Sequence, residues 1–600
     1  GDVGVRKTWI VVFLLLGLHA ALLWHSATQK SPTVDESSHL AAGLYSLTTG
    51  DFRLNREAAP LQNLICASLP ALLYDYTLTF DHECWKKGIW NGSGDRLLEA
   101  NPQIFFPMLL SARIGSILLS VLVCLVIFLW ALELWGPVPA VLVLSFAILE
   151  PNLMAHGRLV TTDTSATLGI LLTAYLFWRF SRKPGWLRLT AVGMAFGLAW
   201  YAKHSAFLFV FLLPIGFAIQ ACAQPGWFPL ANRLSKKRPL WVFCHALGLT
   251  ALCIVVGLLV IWVGYGFERG DSIEWNLPAS MSPLWLYART WVMPALYIAG
   301  LQDHLVLTGD ELDPLHGFFR QWLPAYSHWV GFAKNQLHLE QGHISYFLGR
   351  FSTRGWLLYY PVLFLIKTPL PILLLFAWGS ILLWRRRVWV DRLTQWSLAG
   401  FPLGFALVLM VFNTANIGYR HALPLIPFLL LFCGGAVCFH FSRLLRARRR
   451  QPVLTGKAIA CGLILLALWS ITTFDITRIH PHYLSYFNGL AGGWKGGRLI
   501  AIDSNLDWGQ DLFFLKKFLK DNNVSSVKLA YFGPRAYPAH FGISCQDALQ
   551  QSQLTPGEYV ISVTTLQGLC SSPFSTLLPQ FRQREPDAFI APSLYYYHIP

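Results

Sequence analysis

Eleven apolar runs recur along the chain, near 9–27, 105–134, 137–151, 161–180, 186–202, 205–222, 241–264, 356–384, 393–412, 421–441 and 458–474. Most approach the roughly 20 residues that a helix needs to cross the hydrocarbon of a bilayer. The run at 137–151 is short, and 186–222 reads equally as one broken segment. An odd total puts the two ends of the chain on opposite sides of a membrane. Three long polar segments, 28–104, 265–355 and 475–600, separate or follow the runs. Neither an internal repeat nor a matching pair of interrupted segments, the mark of inverted-repeat transporters, is visible.

Inside the polar segments the period changes. Arg498 to Asp503, Val527 to Phe532 and Glu558 to Thr564 alternate as strands do, and Asp511 to Lys520 has the period of an amphipathic helix, so 475–600 is expected to be a small α/β domain. The segment 265–355 is rich in Trp, Tyr, His, Gly and Pro without sustained periodicity, which suits a surface lying on lipid or closing over sugar. After the first run, Thr33 followed by Glu36 fits a capping box. Asp35 then falls in the first turn of a helix whose Leu40, Leu44 and Leu47 form an apolar face along the membrane surface.

Composition agrees with the pattern: 54% of the 600 residues are hydrophobic and 13% charged. The net charge of +16 is a topology signal. Its basic residues cluster in alternate short loops: Arg6 and Lys7; Arg179, Arg182, Lys183 and Arg188; Arg233 to Arg238; Arg385 to Arg392; Arg443 to Lys457. By the positive-inside rule that side is cytoplasmic, so no nucleic-acid partner is expected and the three long segments face outward. The domains are then 1–474, membrane-embedded, and 475–600, outside. Of eleven cysteines seven fall in apolar runs; Cys66 with Cys84, and Cys545 with Cys570, are disulfide candidates in an oxidising compartment. Asn91-Gly92-Ser93 and Asn523-Val524-Ser525 would be glycosylation acceptors in a eukaryotic lumen.

The outer edge gathers the ionisable groups. Asp35, Glu36 and His39 follow the first run, Glu57 comes in the same segment, and His156, Arg158 and Asp163 fall at the next outer loop. Lys203 and His204 come at the one after, Lys367 lies inside a run, and Arg420 and His421 sit at a further outer loop. Charges in or beside spans cost roughly 2.5–3.5 kcal/mol to insert, so they pair or carry function. Two readings of these residues stand open. Asp35 and Glu36 serve a helix N-terminus and the basic groups snorkel; or the cations hold a lipid-linked phosphate while a carboxylate takes a proton from an attacking hydroxyl. Likewise Asp503 to Asp511 is either a ligand-binding loop or a capped and solvated turn with Trp508 as packing anchor.

With Asp35-Glu36 and His39, Glu57-x-x-Pro60-Leu61, Arg158 with Asp163, Lys203, and Asn416 to Pro424, the chain resembles the membrane-embedded glycosyltransferases of the GT-C class, close to protein O-mannosyltransferases and lipid A aminoarabinose transferases. His480 to Asn488 and Asp503 to Asp511 look like a bacterial branch of phospholipid carrier-dependent glycosyltransferases. The resemblance implies an α-helical polytopic fold of about eleven spans with a C-terminal α/β domain in a bacterial inner membrane. It implies an inverting transfer from a polyprenyl-phosphate sugar, with Asp35 as base and Glu36 supporting it. Arg158, Lys203 and Arg420 would hold the donor phosphate, and His39, Glu57, Asp163 and His421 would line the cavity. A divalent metal is an option that some relatives take, and the acceptor is a protein, lipid or glycan. Two departures stand out: Ala58-Ala59-Pro60 replaces a basic-Pro-Pro pattern, and His39 lies four rather than three residues after Asp35. The competing classes are a transporter or flippase of lipid-linked sugars and a non-catalytic glycan-binding membrane protein.

Overall fold

A computed structural model describes residues 2–55, 58–223, 238–269, 324–385, 390–450, 456–569 and 573–600. Each of the eleven apolar runs is helical, but not each is a span. Among the described residues seven helices are long and apolar enough to cross a membrane: Arg6–Gln29, Phe105–Trp135, His204–Ala223, Pro239–Gly264, Arg392–Phe412, Tyr419–Phe439 and Ile459–Ile479. Tyr359–Lys367 and Leu370–Trp384, bent by 112°, make an eighth if counted as one. The expected eleven therefore falls to seven or eight. Pro137–Ala147 and Trp186–Ala202 are only 11 and 17 residues long. Asp163–Arg182 buries Asp163, Thr164, Ser165, Thr167, Thr173 and Ser181, the mark of a helix enclosed by protein rather than lipid.

The bend has a cause in the sequence. Pro369 lacks a donor and drives Thr368 to an extended φ of −97° and ψ of 135°. The carbonyls so released are not left bare: Asn488 donates from Nδ2 to Leu365 O (2.6 Å) and Thr368 O (2.8 Å), and from its backbone N–H to Ile366 O (2.8 Å). Asn152 Nδ2 covers Lys367 O at 2.9 Å. A segment beyond the last span thus caps a helix inside the membrane domain.

The helix after the first span, Glu36–Thr49, does not lie on the membrane surface as expected. Glu36 through Ser46 are all buried, enclosed by the helices Leu61–Leu73 and Ser93–Ala100. A Cβ on Gly43 would sit 2.3 Å from Asn63 O, so the close approach requires glycine there. Only half of the capping box forms: Thr33 N–H donates to Glu36 Oε2 at 2.9 Å, and Thr33 Oγ1 has no partner.

Beyond the spans, β1 (Ser345–Phe347) and β2 (Arg350–Ser352) form an antiparallel hairpin. A five-stranded mixed sheet uses β3 (Val527–Ala530), β4 (Cys545–Asp547), β5 (Gly557–Ser562), β6 (Ala588–Ala591) and β7 (Leu594–Ile599) in the order β4-β3-β5-β7-β6. Its helix is Leu512–Asp521, one residue from the expected register. The strand expected at Arg498 to Asp503 is absent. Those residues run instead through a turn into a 3-10 helix, Asp503–Asn505, and Asp503 takes a left-handed φ of 59° that breaks the extended run. Cys66 and Cys84 are free thiols, because Cys66 is fully buried inside Leu61–Leu73 against Gly115. Cys570, and with it the second candidate bridge, lies outside the described residues, as do Glu57 and 270–323 of the long aromatic loop.

Candidate active site

Two ionic clusters stand at the same end of the molecule. The first is partly open. Arg420 Nη1 lies 3.3 Å from Asp35 Oδ2 and 3.8 Å from Asp163 Oδ2, and Asp163 Oδ1 accepts from Lys203 Nζ at 2.6 Å. Side-chain exposure is 18% for Asp35, 12% for Arg420 and 22% for Lys203, against 1% for Asp163. The four residues come from four separate parts of the chain: the loop after the first span, the start of Asp163–Arg182, the end of Trp186–Ala202, and the 3-10 helix Tyr419–Leu425. Asp163 is held on both oxygens, by Lys203 and by Thr161 Oγ1 at 3.2 Å, whereas Asp35 makes a single side-chain contact. A carboxylate with so little engaged is the one free to accept a proton.

His39 lines the same edge but is itself fixed, its Nδ1 2.9 Å from Asn63 Oδ1 and its ring 5.0 Å from Trp90. Burial lowers its basicity, and Asp35 opposes that only in part. His421 shares the electrostatic field of Lys203, Arg420 and Asp163, and its Nε2 has no hydrogen-bond partner. Among the described residues no group of three or more His, Cys, Asp or Glu side chains is placed to hold a metal. Asp35 and Asp163 instead face Arg420 and Lys203, so this donor set does not suit a divalent ion and no step is routed through one.

The second cluster is closed. Glu36 receives Arg113 Nε at 2.9 Å and Nη2 at 2.7 Å, together with the backbone N–H of Thr33 and of Val160, and both side chains are fully buried. Burial raises the Glu36 carboxyl, and Arg113 reverses this, leaving it below the ordinary range. Arg113 spends its remaining donors on Ala27 O, Lys30 O and Ser31 O. Lys30 pairs with Asp511, which also accepts from Ser593 Oγ at 2.6 Å. Burial brings Lys30 down to about 8 although Asp511 works against it. Glu36, expected beside Asp35 in the chemistry, therefore holds the fold.

Arg158 hydrogen-bonds to neither cluster and lies in the electrostatic field of the closed one. It is fully buried and none of its three guanidinium nitrogens has a hydrogen-bond partner. Burial, then Arg113, bring it down to about 10, while Glu36 and Asp511 hold it up. A buried cation without partners is costly unless an anion completes it.

The roof of the open cluster was not assigned from sequence. Arg420 stacks over Trp508, 4.4 Å from guanidinium carbon to ring, and Trp508 O accepts from Val34 N–H at 3.0 Å, one residue before Asp35. Asp503 lies within the field of Arg420 and Asp35; burial lifts its carboxyl to about 7 against the pull of Arg420. An apolar groove of about 290 Å³ runs between Tyr419, Tyr360, Phe376, Phe428 and Phe432. Its lining residue Tyr419 precedes Arg420. The signal that could have found the closed cluster was Arg113, the one basic residue inside a 31-residue apolar helix.

Residues 91–266 match the family model described as dolichyl-phosphate-mannose-protein mannosyltransferase, a stretch that contains Arg158, Asp163 and Lys203. No curated protein matches the sequence. Among solved structures the chain is similar to ArnT from Cupriavidus metallidurans bound to undecaprenyl phosphate, at 12% identity over 98% of this chain and 97% of that one, with a TM-score of 0.45. It is also similar to the archaeal oligosaccharyltransferase AglB from Archaeoglobus fulgidus, in complex with an inhibitory peptide and a dolichol-phosphate, at 13% identity over 78% of this chain and 55% of that one, with a TM-score of 0.41. The family match is confined to residues 91–266, and in that stretch the chain is similar to these mannosyltransferases.

Proposed function

We propose that the protein transfers a sugar from a polyprenyl-phosphate carrier to an acceptor hydroxyl, with inversion at the anomeric carbon. It works at the extracytoplasmic face of a bacterial inner membrane, with the N-terminus cytoplasmic and 475–600 periplasmic. Asp35 takes the acceptor proton as the hydroxyl oxygen attacks the anomeric carbon. The bond from that carbon to the phosphate oxygen breaks on the opposite face, and its electron pair leaves with the phosphate. Arg420, Lys203 and Arg158 neutralise that leaving group. Asp163 orients Lys203 and Arg420, and His39 and His421 line the cavity. The isoprenoid tail occupies the apolar groove, whose end at Tyr419 brings the phosphate to Arg420.

The observation that carries the reading is the meeting of a nearly free carboxylate, Asp35, with Arg420, next in sequence to Tyr419, which helps line a groove of aromatic and aliphatic side chains. A groove of this volume suits an apolar ligand with a few convergent polar groups at one end. The test is Asp35→Asn in full-length protein reconstituted with native-host lipid extract. Retained binding of undecaprenyl phosphate with transfer lost is expected; a carrier or receptor needs no base, so unchanged transfer removes Asp35 from the mechanism.

A further inference from the structure

The grip on Arg420 traces to one asparagine beyond the last span. Asn505 is 1% exposed and uses its whole side chain. Oδ1 accepts from Tyr419 N–H at 2.8 Å, and Nδ2 donates to Tyr359 Oη at 2.9 Å and to Ile502 O at 2.8 Å. Its backbone carbonyl accepts from Lys367 Nζ at 2.7 Å, and the same ammonium reaches Leu484 O at 2.8 Å. Asn505 therefore ties the bent helix pair, through Tyr359 and Lys367, to the residue before Arg420.

Its neighbours hold the other side of that residue. Ser504 Oγ donates to Ile417 O at 3.0 Å and lies where a Cβ on Gly418 would be, 2.1 Å away. Trp508 carries the Arg420 guanidinium and binds Val34 through its carbonyl. The segment from Ser504 to Trp508 thus fixes the backbone before Arg420, the plane of its guanidinium, and the backbone before Asp35. A loop of 3-10 helix has weak hydrogen bonds of its own. Without Asn505 the N–H of Tyr419 has no partner, and a buried donor left unmade gives the loop a reason to move.

We propose that Asn505 is a positioning residue of the transfer site, holding Tyr419 so that Arg420 meets both Asp35 and the phosphate of the carrier. The inference rests on the donor reading above. It acts through Arg420, so its loss is felt more in recognition of the phosphate than of the tail, for which Tyr419 is one of sixteen lining residues of the groove.

The measurement is the ratio of affinities for undecaprenyl phosphate and undecaprenol, taken on the full chain in nanodiscs, with melting temperature as the control for folding. Asn505→Ala is expected to lower the ratio by about tenfold, as Arg420→Ala does, while undecaprenol affinity falls by less than about twofold. In the Arg420→Ala background Asn505→Ala is expected to change the ratio less than about twofold, because two residues acting as one unit are not additive. Asn505→Asp retains the acceptor for Tyr419 N–H and is expected to keep a ratio near that of the unaltered protein; it carries the test if the alanine variant does not fold. Equal loss for both lipids in Asn505→Ala, full additivity with Arg420→Ala, or collapse of the ratio in folded Asn505→Asp overturns the proposal. If Arg420→Ala itself leaves the ratio unchanged, the donor reading fails first, and the two failures are told apart.

Discussion

Asp35 and Glu36 are adjacent in sequence and stand in opposite kinds of environment. The Glu36 carboxylate is sealed by Arg113 and two backbone donors, with no exposure. The Asp35 carboxylate has one guanidinium at 3.3 Å and a path to solvent. In the proposed function one step along the chain separates a group that builds from a group that reacts. The difference is coordination: a saturated acid has no remaining capacity for a substrate, and an unsaturated one does.

The largest expected effect follows from the open partner. Asp35→Asn should lower transfer by about 10²–10⁴-fold, the usual range for loss of a general base, with the melting temperature unmoved. For the closed partner the effect shifts from rate to stability. Glu36→Ala leaves Arg113 buried without its acid, and about 3–5 kcal/mol of stability should go with it; the yield and melting temperature of reconstituted protein report this. A melting temperature equal in the two variants would erase the distinction.

Arg420→Lys sharpens the comparison within the open cluster. It keeps the charge and loses the planar stack on Trp508, so affinity for undecaprenyl phosphate should fall by about tenfold. The smallest effect concerns acidity. Asp503 binds its proton in the folded state up to about pH 7. Its stabilising contribution is therefore full below the ordinary carboxylate range and is lost as pH rises through about 7. Above that point its anion stands within the field of Arg420 and competes with phosphate. Undecaprenyl phosphate affinity should weaken on the order of a few-fold from pH 6 to 8, and Asp503→Asn should remove that part of the slope.

The sequence pattern located eleven helix-forming apolar runs, since burial in lipid or protein demands the same composition, and missed the shorter apolar helix Leu61–Leu73. It could not separate them, because a helix enclosed by others, such as Asp163–Arg182, differs from a span mainly in what surrounds it. The meeting of Asp35, Asp163, Lys203 and Arg420 was legible as four charges sharing one outer edge. The fate of Glu36 was not, because its partner Arg113 lies 77 residues away inside an apolar run. Nor was the role of Asn505, whose bonds reach residues 86 and 146 positions earlier. Side chains that act by holding other backbones leave no local motif. The capping box misled for a related reason: its Glu36 half forms, yet the helix it starts is walled in by neighbours rather than laid on lipid.

Trp508, which stacks on Arg420, lies beyond the last span, while Asp35, which the same guanidinium meets, follows the first. In the proposed function, a molecule whose residues 503–511 are unfolded has its carboxylate and its cations but no fixed register between them.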